Sequence, residues 1–357
     1  MFIRLCYNTT MTDVAQIKDK KDRIFELDCL RVIAILAVIM IHVSANLIIH
    51  NPQNSIEFVI GNFFDSISRF AVPFFVMLSG YFMLDENREM PISKLKNKVV
   101  KLLLILVFWS ALYALIFNFN NFLNAFIYGH FHLWYLYLII GLYLFVPIFR
   151  LFVKRQNMTY IYYTVLLGII FIFLPKFLDL LFPPNNATKL FDNFGFYGGG
   201  YYVYFLIGWI IKNLKDKIVK YKKLLFILVI LSLATTFCCT QFIHSHHFKA
   251  YKIFYHCIGL NVLTYSVSLF CVLYDEIKKH TPKFPPKLKQ FITKCSALSF
   301  GVYLIHAGIL IQFLHIFKNL NYGIIYVVVL FILTTISSFL TAYLISKIKY
   351  LNQLIKI

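Results

Sequence analysis

Charge is scarce in this chain, and acid is the scarcer sign. Only 14% of its 357 residues are charged, where a water-soluble domain carries about a quarter. Asp and Glu together number 15 against 35 Lys and Arg, and 60% of positions are apolar. Too few polar side chains remain to wrap a core in water, so lipid is the expected solvent. Missing too are an internal repeat and a mirrored pair of broken helices, which argues against a secondary transporter. The seven cysteines (Cys6, Cys29, Cys238, Cys239, Cys257, Cys271 and Cys295) form no Cys-x-x-Cys or zinc spacing and fall mostly inside apolar runs. They read as small buried hydrophobes, with the adjacent pair Cys238–Cys239 as the one redox alternative.

The formal charge of +20 raises the question of nucleic acid. The basic residues, however, fall in separate clusters between apolar runs rather than in one stripe, so no nucleic-acid partner is expected. Residues 1–24 form a polar tail without the apolar stretch of a signal peptide. The first apolar run, about 29–49, is too long for a signal core, although Val43-Ser44-Ala45 resembles a cleavage site. Further spans are expected at 57–84, 98–118, 133–153, 160–182, 197–212, 224–243, 254–274, 295–317 and 324–347. Residues 183–199, with Pro183-Pro184-Asn185-Asn186 and Gly198-Gly199-Gly200, read as a loop.

Charge sorts these spans. Lys and Arg crowd the tail and the second, fourth, sixth and eighth connections, from Arg88 to Lys101, Arg150 to Arg155, Lys212 to Lys223 and Lys278 to Lys294. The odd connections hold little beyond Lys176, Lys189, Lys249, Lys252 and Lys318. The alternation persists without inversion, as the positive-inside rule requires. The expected fold is all-α and polytopic, with about ten transmembrane helices and both termini cytoplasmic. One membrane domain would occupy 25–350, followed by a short tail, 351–357.

An ionisable group in hydrocarbon costs roughly 2.5–3.5 kcal/mol on insertion scales, so His42, Arg69 and His306 each need a reason. His42 follows Arg31 by eleven residues, about three helical turns and about 16 Å along the axis, so both share a helix face. Arg69 lies one turn after Asp65, which can neutralise it. His306 sits midway along the ninth span. Alone, Arg31 is an interfacial anchor, each histidine a packing residue and Arg69–Asp65 a structural pair. Together, at similar depth on separate spans, they favour proton transfer or substrate binding. The other histidines (His50, His130, His132, His244, His246, His247, His256 and His315) fall at or beyond the outer interface. His244-x-His246-His247 could bind a metal, but with no acidic or cysteine partner nearby it reads as an exposed loop, and no metal is expected.

At these positions the sequence resembles the membrane acyltransferase-3 family of bacterial O-acyltransferases. The matching segments are Leu27-Asp28-Cys29-Leu30-Arg31 with His42, the run from Ser68-Arg69-Phe70 to Leu78-Ser79-Gly80-Tyr81, His132-Leu133-Trp134-Tyr135, and Phe300-Gly301-Val302-Tyr303-Leu304-Ile305-His306. They occur in family order from the first span to the ninth. Within the family the chain looks closest to the enterobacterial common antigen O-acetyltransferase type.

The resemblance implies a multi-pass protein of the bacterial inner membrane. It implies acetyl-CoA as cytoplasmic donor and a hydroxyl on a cell-envelope glycan or glycolipid as acceptor. Carried over by position, His42 would be the catalytic base, with Arg31, Arg69 and His306 as further catalytic candidates. Arg31, Ser79, Gly80 and Tyr81 would bind the donor, and Trp134 and Arg69 the acceptor. A covalent acyl-enzyme and a homo-oligomer both stay open. The rival readings are a polysaccharide exporter or flippase and a structural subunit of a glycan-assembly complex.

Overall fold

The computed structural model describes residues 23–154, 158–175, 200–244, 254–317 and 323–356, and every regular element among them is helical. In order these are α1 (Phe25–His50), α2 (Ile56–Ser68), α3 (Ala71–Met83), α4 (Ile92–Phe117), α5 (Phe122–Tyr128) and α6 (Trp134–Lys154). There follow α7 (Met158–Gly168), α8 (Tyr201–Ile218), α9 (Lys222–His244), α10 (Leu260–His280), α11 (Pro286–Ile316) and α12 (Ile324–Lys347). The whole loop expected at 183–199, and also His246, His247 and Lys249, lie outside the described residues.

Among the described residues eight helical runs are long and apolar enough to cross a membrane. The difference from the expected ten has two sources. The fifth expected span is represented by a shorter apolar run, Met158–Phe173, and the sixth and seventh both fall within the single run Tyr201–Phe242. That run bends at the 3-10 turn Val219–Tyr221. Its two arms return to one place. Tyr204 near the start of α8 donates to the carbonyl of Cys257. Two residues away Tyr255 donates to Asn62 Oδ1 at 2.6 Å, and Asn62 Nδ2 donates to Gln241 Oε1 at 3.1 Å near the end of α9. α8 and α9 therefore run in opposite directions, α8 packed on α3 and α9 on α10.

α1 is the centre of the bundle and packs against α2, α3, α10, α11 and α12. Its apolar side chains point in every direction, the pattern of a helix enclosed on all sides. α2 and α3 form one run broken at Arg69 and Phe70. Pro73 has no N–H to give to the carbonyl of Arg69, and the helix axis is interrupted there. α3 then lies against α8 at backbone contact. A Cβ on Gly80 would stand 1.8 Å from the carbonyl oxygen of Phe205, and one on Gly208 would stand 2.0 Å from that of Met77.

Most basic connections gather at one end of this bundle. Arg150, buried on α6, donates to the carbonyls of Met83, Asp85 and Arg88 at 2.9, 3.0 and 2.6 Å. It thereby satisfies acceptors where α3 ends. Lys212 pairs with Asp85, Thr281 Oγ1 donates to Glu26 at 3.0 Å, and Lys222 and Lys279 share Asp275 at 2.8 and 2.7 Å. The outer flanks of α4, α6, α9 and α12 expose Leu104, Leu144, Ile230 and Ile336, the surface expected of helices facing lipid.

The α3–α8 contact yields a test. Gly80→Ala and Gly208→Ala should each cost at least about 2 kcal/mol, the scale of forced overpacking, and lower the melting temperature of the detergent-purified protein. Gly141→Ala, with nothing within 4 Å of the added carbon, should leave it unchanged.

Candidate active site

A cavity of about 460 Å³ opens along one face of α1, with Arg31, Val38 and His42 on its wall. The volume falls in the range of small-molecule sites. α3 contributes Val72, Phe75, Leu78 and Ser79, α6 contributes Trp134, Tyr135 and Tyr143, and α11 contributes Ser296, Ser299, Phe300 and Tyr303. Arg31 and His42, eleven residues and about 16 Å apart along α1, thus both stand on the one wall.

The Arg31 end lies at the basic end of the bundle and is fixed by a buried carboxylate. Asp28 accepts from Arg23 Nε at 2.6 Å, from Ser296 Oγ at 2.6 Å and from Arg31 Nη1 at 3.4 Å. Arg31 Nη1 also donates to Ser296 Oγ at 3.1 Å, and its guanidinium stands 5.8 Å from the centre of the Phe82 ring. Arg31 is held on two sides yet keeps part of its fork toward the cavity.

At the far end His42 is half-buried on the cavity wall. Its ring centre lies 5.2 Å from that of His306 and 5.2 Å from that of Phe131. His306 is fully buried, and its Nδ1 donates to the carbonyl of Tyr303 at 2.6 Å. This bond fixes the tautomer and leaves Nε2 as an acceptor, which has no partner among the described residues. A buried imidazole nitrogen with a free lone pair beside a cavity-lining imidazole can take a proton or orient its neighbour.

A third histidine joins them against expectation. His132 reads from sequence as lying at or beyond the outer interface, yet it is buried, with its ring 5.3 Å from that of His306. The chain reverses at Gly129, whose φ of 70° suits glycine, and returns His132 to the bundle interior, with His130 half-buried and Phe131 exposed beside it. Tyr303 Oη donates to the carbonyl of His132 at 2.7 Å. Burial pushes His130 down to about 4 and holds His132 well below the usual imidazole range, so both are neutral at neutral pH. His132 Nε2 then donates to the Leu304 carbonyl at 3.3 Å, and His130 Nδ1 donates to His132 Nδ1 at 3.0 Å. The sequence signal was the glycine before a His-x-His followed by a buried Leu133 at the start of α6.

The remaining candidates divide. Ser79 and Trp134 line the cavity, as do Tyr135 and Tyr143. Gly80 faces α8, as described above. Tyr81 is buried with Lys212 6.0 Å from its ring centre, and it does not line the cavity. Arg69 sits at the α2–α3 break, paired with Asp65, donating to the carbonyl of Tyr255 at 3.1 Å and stacked 4.3 Å over the ring of Tyr255. It too is absent from the cavity wall. Among the described residues no group of three or more His, Cys, Asp or Glu is placed to hold a metal ion.

The model of the acyltransferase-3 family, an acyltransferase domain, matches residues 24–343. No curated protein and no solved structure matches the chain.

Arg69 can be assigned by a cycle of variants. Asp65→Ala strands a buried cation and should cost about 3–5 kcal/mol, read as lost melting temperature. If the pair is structural, Asp65→Ala with Arg69→Met should recover most of that loss and retain activity. A stable but inactive double variant would put Arg69 in the chemistry.

Proposed function

Because the chain belongs to the acyltransferase-3 family, matched over residues 24–343, we propose that it is a membrane O-acetyltransferase. It carries an acetyl group from cytoplasmic acetyl-CoA to a hydroxyl of a cell-envelope or lipid-linked polysaccharide. The observation that carries this reading is one cavity with a guanidinium at its basic end and His42 on its wall at the other, with the ring of His306 behind it. The basic end faces the cytoplasm by the positive-inside rule, in a bacterial inner membrane crossed about ten times.

The donor fits this polarity. Its phosphates meet Arg31, whose fork suits phosphate oxygens, and its thioester arm extends along α1 toward His42. The acceptor approaches from the opposite side, where Trp134 offers an aromatic face to a sugar ring. There His42 takes the hydroxyl proton as the oxygen attacks the thioester carbonyl. A carbon–oxygen bond forms, the carbon–sulfur bond breaks, and the proton passes to the departing thiolate. His306, with its proton committed to Tyr303, holds its Nε2 lone pair toward this exchange and keeps His42 in a productive orientation. The common antigen type of enzyme is the nearest functional model.

His42→Ala should express at normal levels and lose about 10²–10⁴ in transfer rate, the usual share of a general base. Mass spectrometry of envelope glycans from cells carrying only that variant reads the outcome. Unacetylated glycan at the surface supports the enzyme, whereas glycan retained inside the cell would support an exporter instead. Arg31→Ala should chiefly raise the KM for the donor, and an equal fall in kcat with donor affinity unchanged would move Arg31 into the chemical step.

A further inference from the structure

The basic end of the cavity has a contributor from far along the chain. After α12 the backbone turns at 348–350 and forms a short 3-10 helix, Leu351–Leu354. Trp109 Nε1 on α4 donates to the carbonyl of Leu354 at 3.1 Å. Ile355 is then buried to 1% exposure in the main core. It fills the hollow left by a glycine: a Cβ on Gly301 of α11 would stand 3.2 Å from Ile355 Cβ and 3.4 Å from Ala342 Cβ of α12. With the backbone tied at Leu354 and the side chain wedged at Ile355, the next residue is set on the cavity wall. That residue is Lys356, and it shares the wall with Lys98 of α4 and with Arg31.

Three cations from three separate segments therefore converge on one opening. Among the described residues that line the opening none is acidic, and Asp28 beside it is already engaged by Arg23 and Arg31. Like charges gathered at a cleft repel one another and focus a positive field into it. Such an arrangement is relieved by an anion with several oxygens, and a wedge as specific as Ile355 in Gly301 would be superfluous for a lysine that merely pointed into water.

We propose that the segment Leu351–Lys356 is part of the donor site, with Lys356 and Lys98 binding phosphate-ester oxygens at the mouth that Arg31 begins. This rests on the acetyl-CoA reading above, but the chemistry recognised is the phosphate ester, which a lipid headgroup also carries. Lys356 is exposed, so its replacement leaves the packing intact. Ile355 serves as the positioning residue that delivers it.

The test uses the full chain in phosphatidylcholine nanodiscs, with binding of CoA and of phosphate-free pantetheine measured by calorimetry. Lys356→Ala should weaken CoA binding about tenfold, the lower end for a charge-assisted bond, and leave pantetheine binding and melting temperature unchanged. Lys356→Arg should retain CoA binding, and Ile355→Asp should reproduce the loss with the lysine still present. CoA binding that is equal in wild type and Lys356→Ala overturns the proposal while leaving the donor reading intact. If the wild type binds no CoA, the donor reading fails. Discs containing phosphatidylglycerol then decide the rest: Lys356-dependent retention of that lipid assigns the mouth to headgroups, and no dependence overturns the phosphate site as well.

Discussion

Water cannot reach the middle of this bundle, so each polar group carried there must find its partner within the protein. That requirement governs where the helices sit. Asp28 is tolerable at the α1–α11 contact because Arg23, Arg31 and Ser296 all donate to it. Arg69 is tolerable because Asp65 and the Tyr255 carbonyl receive it. Arg150 is tolerable because α3 ends where its guanidinium can reach three carbonyls. Each of the three groups has at least one bond to an element distant in sequence, from Ser296, to Tyr255 or to the end of α3, so satisfying a charge and choosing a helix neighbour are one event. Among the described residues nine buried side-chain atoms lack such a partner, Asp65 Oδ1 and Ser266 Oγ with them, and one of the nine carries the interest. His306 Nε2 is buried and unpartnered, and a group left in that state at a cost of about 1–3 kcal/mol stands beside the imidazole that faces the cavity.

Much of the fold was legible because one-dimensional patterns carry it. Apolar runs of about 20 residues marked the helices, and the sign of the connections marked which ends lie together. The spacing of Arg31 and His42 predicted a shared helix face, and both line the same cavity. The boundary between the sixth and seventh expected spans was harder to see in the fold, since Lys212 to Lys223 continues helically through a 3-10 turn. What could not be read was depth off the helices. His132 looks peripheral when position is counted from the nearest span. A glycine with positive φ redirects the chain, and a loop that hydropathy places outside returns to the core.

Neighbouring residues in one motif can also serve different ends, which sequence matching does not separate. Ser79, Gly80 and Tyr81 are adjacent, and a helix turns about 100° between them. Ser79 consequently looks into the cavity, Gly80 into α8 and Tyr81 toward Lys212. The glycine earns its place by what it lacks: its missing side chain lets α3 and α8 touch at the backbone. That contact holds α3 in position, and with it Val72, Phe75, Leu78 and Ser79 on the cavity wall.

The two ends of the cavity are built on opposite principles. At the Arg31 end cations accumulate from α1, α4 and the segment after α12, with one engaged carboxylate among them. At the His42 end the polar groups are largely imidazoles, and backbone carbonyls fix where the protons of His132 and His306 sit. A charged mouth attracts an anion over distance, while neutral, oriented lone pairs act only on a group already in place. An elongated molecule with a polyanionic head and a reactive uncharged tail satisfies both ends at once. Reversed, it would place its charges among the buried rings, where no cation lines the wall. The asymmetry of the walls therefore sets one direction for such a molecule, and in the proposed reaction it leaves the imidazole end for the acceptor.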